Sequence, residues 1–173
     1  MTDDGQHPDN GKPIESVWDY PRPPRLDTVP WRIRVVVAGV TVVDAPEAMR
    51  VLETSQAPAY YVSPDHVDLS AMRPNPQQTY CEWKGMASYA DIAVPGPDGE
   101  GDGRVARAAA WTYRAPNERF APLVDHWAFY AQAVDECWVD DERVNPNEGD
   151  FYGGWITANL RGPFKGAPGT RHW

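Results

Sequence analysis

The chain is poor in cysteine. It carries two, Cys81 and Cys137, and no Cys-x-x-Cys pair. A four-cysteine zinc site is thereby excluded, and in a reducing compartment both thiols are expected to be free. Basic residues are also scarce: 16 Lys and Arg against 25 Asp and Glu give a net charge of −9, and no basic stripe forms. Duplex-binding proteins display such a stripe, so neither nucleic acid nor an anionic membrane surface is an expected partner. No apolar run approaches the ~20 residues that span a bilayer. The opening "MTDDGQHPDNGK" has neither the basic nor the apolar segment of a signal peptide, so the expected location is the cytoplasm. No His-x-x-x-His pair, Gly-x-Ser-x-Gly elbow or Walker lysine loop occurs, which removes zincin, α/β-hydrolase and P-loop chemistry.

Aromatic residues, by contrast, are abundant: eight tryptophans and eight tyrosines stand among 173 residues. Such side chains bury large areas and line pockets while leaving a polar atom to be placed. Hydrophobic content of 42% and charged content of 24% are ordinary for a globular chain. A chain of this length buries roughly 70% of its unfolded surface, enough for one sizeable core.

Residues 1–14 are polar and read as a mobile tail, with a single domain over 15–173. The proline-rich arm "ESVWDYPRPPRLDTVP" (15–30) is read as lying on its own domain, anchored by Trp18 and Tyr20. The alternative is a polyproline ligand for a partner protein. "WRIRVVVAGVTVVDA" (31–45) is a β-hairpin turning at Ala38-Gly39. In "DAPEAMRVLET" (44–54), Asp44 as N-cap, Pro46 in the first turn and Glu47 three residues after Asp44 predict a short helix. That helix would set Arg50, Glu53 and Thr54 on one face. Further strands are expected at 57–65, around 79–84, and at 87–94, 104–114 and 135–144, with a short helical turn in 117–130. The predicted class is mainly β, with short antiparallel strands and one or two short helices.

"TYCEWKG" (79–85) concentrates the candidate chemistry. Read as a strand, it points Cys81 and Trp83 one way and Glu82 and Lys84 the other, so Lys84 would not activate Cys81. A bulge at Gly85 is the escape from that geometry. Lys84 then reads as an anion contact. "DGEGDG" (98–103) imitates a calcium loop but has Ala109 where the bidentate glutamate belongs, so it reads as a solvated loop. Asp135, Asp140 and Asp141 read as hydrated carboxylates, and no metal or cofactor is expected. His126 and Lys165 are further polar candidates. "FYGGW" allows close approach of backbone or ligand.

In order, "ESVWDYPRPPR", "RVLET", "AYYVSPDHV", "TYCEWKGMASY", "AAAWTYRAP", "HWAFY", "VDDERV", "FYGGWIT" and "GPFKGAPGT" resemble the domain of unknown function 427 family, a bacterial and fungal group. The resemblance implies a compact mainly-β domain of β-tent, or Mss4-like, type. It carries no metal over, since the usual Cys-x-x-Cys pairs are missing. The family is sometimes labelled a nucleotidyltransferase group. That chemistry needs a Gly-Ser loop followed by an Asp-x-Asp pair, which this chain does not have in that setting. "VDDERV" departs from a usual Asp-Gly turn and would place Asp141 in a glycine-like backbone state.

These readings converge on a small-molecule-binding domain. Its aromatic pocket would use Tyr60, Tyr61, Trp83, Trp111, Tyr113 and Trp155, anchored by Arg50, Glu53 and Lys84. The ligand would be small and planar or anionic. The alternatives are an enzyme using Cys81, Glu53 or Lys84, and a protein-interaction module acting through the 15–30 arm.

Overall fold

Along Ile33–Val37 buried Ile33, Val35 and Val37 alternate with half-buried Arg34 and Val36, and the chain reverses at Ala38-Gly39. Both turn residues take the left-handed backbone (φ 48° and 77°) that a two-residue hairpin with matched twist requires. This hairpin belongs to a computed structural model that describes residues 5–96, 99 and 101–173. Its strands are β1 (Glu15–Ser16), β2 (Arg25–Val29), β3 (Ile33–Val37), β4 (Val40–Ala45) and β5 (Ala48–Leu52). Then follow β6 (Ala59–Tyr61), β7 (Met72–Cys81), β8 (Gly85–Pro95), β9 (Asp102–Tyr113) and β10 (Trp127–Phe129). The last are β11 (Glu136–Val139), β12 (Glu142–Arg143), β13 (Asn145–Pro146), β14 (Trp155–Ile156) and β15 (Leu160–Arg161).

Two four-stranded sheets dominate, ordered β10-β9-β8-β7 and β12-β11-β3-β4, with a three-stranded sheet β2-β5-β6 beside them. All three are antiparallel. The three-stranded sheet joins the first through a bridge between Val62 and Trp127. One core of Ile33, Val35, Val37, Ile92, Phe129, Val139 and Trp155 fills one side of the β7–β10 sheet. A second core of Val51, Tyr61, Tyr89, Trp111, Tyr113 and Phe120 lies against the other. Strand alternation divides neighbours between them: Tyr89 belongs to the second, Ala90 to the first.

The expected helix at 44–54 is instead a strand turn. Pro46-Glu47 separate β4 from β5, and no α-helix occurs among the described residues. Ala48–Leu52 is paired on both edges, with β2 and β6. These ladders satisfy the backbone that the local capping pattern offered to a helix. Helical content is confined to short 3-10 turns such as Pro64–His66, Leu69–Ala71 and Glu118–Leu123. At the β11–β12 turn the left-handed residue is Asp140 (φ 52°), not Asp141. Its carboxylate accepts from the Arg32 backbone N–H and from Lys12 Nζ, both at 2.8 Å, which fixes that conformation.

The arm lies on its own domain: β2 pairs with β5, and β1 runs parallel to β15. The tail reading of 1–14 needs correction over the described part. Residues 5–14 form a closed turn, and Lys12 is buried against Asp140 and the Trp31 ring. The acidic-loop reading at 98–103 rests on Asp98 and Glu100, which lie outside the described residues.

Candidate functional site

The second core is not filled solid. It opens into a cavity of ≈ 460 Å³ between the face of β8 and β9, the strands β5 and β6, and the segment 151–154. β9 supplies Trp111 and Tyr113, two residues apart and hence on one face. Tyr89 lies opposite Trp111 in the β8–β9 register. β6 contributes Tyr61, and β5 leads to Val51 and Glu53.

The stretch 79–85 is where the structure differs most from strand reasoning. β7 ends at Cys81 and β8 begins at Gly85, so Glu82, Trp83 and Lys84 are a hairpin turn. The strict alternation that kept Cys81 and Lys84 apart therefore does not apply, and both line the cavity with Trp83. Asn117 pins the turn: its backbone N–H donates to the Lys84 carbonyl and its Nδ2 to the Trp83 carbonyl, each at 2.9 Å.

The walls are built from phenols and indoles in defined contact. Trp111 meets Tyr61 edge-on with centroids 6.1 Å apart, and Trp111 Nε1 donates to the Tyr61 hydroxyl at 3.2 Å. Trp111 also packs on Tyr130 at 4.5 Å, and Tyr130 stacks on Tyr89 at 6.4 Å. The Thr79 and Tyr89 hydroxyls lie 2.9 Å apart. Burial raises the pKa of Tyr61, Tyr113 and Tyr130, so these side chains are neutral phenols at physiological pH.

Lys84 is the cavity's cation. Desolvation opposes its charge, but the nearby Tyr61 and Cys81, the Glu53 carboxylate and a hydrogen bond with Cys81 outweigh that cost, and its pKa is raised. Its Nζ lies 5.8 Å from the Tyr113 ring centroid. Glu53 is engaged elsewhere, with Oε2 3.3 Å from Arg22 Nε. Among the described residues, no carboxylate forms an ion pair with Lys84.

Three of the expected pocket residues lie outside the cavity. Arg50 is on the opposite face of β5, 3% exposed, donating to Glu15 at 3.0 and 3.1 Å and to Asp27 at 2.8 Å. Tyr60 and Trp155 stack on each other at 5.1 Å in the first core, where Trp155 Nε1 donates to the Phe129 carbonyl. Alternation separates Tyr60 from Tyr61. His126 is also remote, its Nδ1 3.1 Å from the Val124 carbonyl oxygen. Lys165 is buried over the Tyr152 ring and does not line the cavity. Asp135 and Asp140 are occupied by the Ala38, Arg32 and Lys12 donors. Sequence reasoning missed Thr79, Tyr89, Tyr130 and Tyr152. Uninterrupted pairing from Val94 opposite Arg104 would set Tyr89 opposite Ala109; the irregularity between Ala90 and Ile92 shifts it to Trp111, and no spacing in the sequence signals that shift.

The fold and cavity define a mainly-β domain with a hollow lined by aromatics and one unpaired cation. The chain belongs to the domain of unknown function 427 family (DUF427), whose family model matches residues 25–140. No curated protein matches the sequence. Glu53, Tyr61, Cys81, Trp83, Lys84, Trp111, Tyr113 and Tyr130 fall within the matched span, whereas the wall at 151–154 follows it. No helix among the described residues is long and apolar enough to cross a membrane.

Proposed function

We propose that this protein binds a small planar ligand carrying negative charge or a strongly polarised oxygen, with its flat skeleton among Tyr61, Trp83, Trp111 and Tyr113 and its charged end on Lys84. The observation that carries this reading is the unpaired Lys84 ammonium facing an aromatic cavity. Lys84 is half-buried and forms no ion pair with a carboxylate among the described residues, so an anionic ligand would complete its compensation. The ring faces favour a π-system, and the buried phenols add neutral hydrogen-bond donors. The same proposal takes the β-tent relation as its architecture, supported by the packed antiparallel sheets. It places the protein in a reducing, cytoplasmic setting, supported by the two free thiols. Capture of a partner protein by the 15–30 arm is the weaker reading, because β2 already spends its ladder on β5.

Titration of the full chain with 2-naphthoate, followed by tryptophan fluorescence, tests the reading. Saturable binding is expected, weakened about tenfold by Lys84→Met, equivalent to about 1.4 kcal/mol. Absence of saturable binding for naphthoate and cinnamate alike by folded protein would remove the proposal.

A further inference from the structure

Resting on the binding reading above, the geometry points to a covalent activity: Cys81 adds to planar α,β-unsaturated carbonyl compounds held in the cavity with their carbonyl oxygen at Lys84. Four observations converge on it. Cys81 lines the cavity, and the hairpin turn brings Lys84 to the same hollow three residues later. Lys84 remains an ammonium, so it has no free lone pair to form an imine and serves as a fixed positive charge. An ammonium in that place stabilises an oxygen that gains negative charge. The aromatic walls accept a flat conjugated skeleton.

The surroundings select addition over acyl transfer. No histidine is among the described lining residues, and Glu53 is held by Arg22. Hydrolysis of a thioester needs a base to activate water. Conjugate addition needs neither that base nor a leaving group. The Cys81 proton passes to solvent. The sulfur lone pair forms a C–S bond to the β-carbon, and the C=C pair moves toward the carbonyl to give an enolate, its oxygen facing Lys84. Water then protonates the α-carbon. Hydrogen and sulfur have been added across the double bond, with no oxidant or reductant consumed.

The test exposes the full chain to 4-phenylbut-3-en-2-one and follows it by intact mass and peptide mapping. One adduct per chain is expected, on Cys81, forming at least about tenfold faster than with glutathione and at least about tenfold slower after Lys84→Met. Lys84→Arg, which keeps the charge should Lys84→Met fail to fold, is expected to stay within about threefold of the native rate. Cys81→Ser should form no adduct there yet still bind the saturated 4-phenylbutan-2-one, read by thermal shift. An unmodified Cys81, or a rate equal to that of glutathione and indifferent to residue 84, overturns the inference. If native protein binds the saturated ketone but Cys81 stays unmodified, this inference alone falls. If neither the ketone nor naphthoate binds, the binding reading falls with it.

Discussion

Gly153 is where the cavity wall comes hard against the Trp111 ring. A Cβ at this position would lie 2.3 Å from Trp111 Cη2 and 3.1 Å from Tyr130 Cε1, so no side chain fits while both rings hold their places. Gly153→Ala is expected to displace Trp111, destabilise the fold by about 1–3 kcal/mol and weaken naphthoate binding. Urea denaturation with a parallel titration checks this; an alanine variant equal to the native protein in both would place the wall elsewhere. Lys84 sets the pH response. Its folded pKa is raised above an unfolded value of about 10.4, so its contribution is whole below that value and is lost only as pH rises through the higher folded one. Naphthoate affinity of a Cys81→Ser background should therefore stay flat from about pH 7 to about pH 10 and fall only above about pH 10.4. A decline centred near neutrality would assign the anchor to another group. "TYCEWKG" announced reactive residues but hid their geometry, because a three-residue turn and a strand differ only in where the neighbouring ladder stops.

At the scale of elements, β5 shows how one strand serves two purposes. Val51, and Glu53 just beyond the strand, line the cavity, whereas Arg50 turns to the other face and clamps Glu15 and Asp27 under Trp31 at 4.9 Å. The clamp ties the arm to the sheet. Glu15→Gln leaves Asp27 as the one carboxylate on Arg50 among the described residues. Because Glu15 is 21% exposed, the expected loss is about 1–3 kcal/mol rather than that of a fully buried pair. Thermal denaturation should show it, while naphthoate affinity stays within about twofold. A large loss of affinity would mean that the two faces of β5 are coupled. The capping pattern around Asp44 and Glu47 is real chemistry, but its helix would leave β2 and β6 without a partner strand. Long-range pairing overrides such local signals.

Over the whole molecule, the two cores divide the two thiols. Cys137 is 2% exposed in the first core, and burial raises its pKa. Iodoacetamide should modify Cys81 in the native state and Cys137 only across the urea unfolding transition, read by peptide mass. Equal rates in native buffer would contradict the packing of β11 against β3. The ends of the described chain contribute to the same body: Asn10 donates to Glu142 and Asn159, and Trp18 packs on Trp173 with centroids 5.4 Å apart. A polar composition at 5–14 therefore coexists with docking, because its few buried groups find charged and amide partners brought close by the β11–β12 turn.

Composition and short-range pattern alone determined the mainly-β class, the hairpin at 31–45 and an excess of aromatic rings, since period-two alternation and turn residues act over a few positions. Alternation along β6 sets Tyr60 and Tyr61 on opposite faces, so the expectation that both line one pocket fails. Tertiary structure alone decided which of the two reaches the cavity, that Arg50 answers to Glu15 and Asp27 rather than to a ligand, and that Lys84 stands unpaired beside Cys81. Those outcomes depend on which sheet face meets which across long stretches of chain, and local spacing carries no information about that meeting.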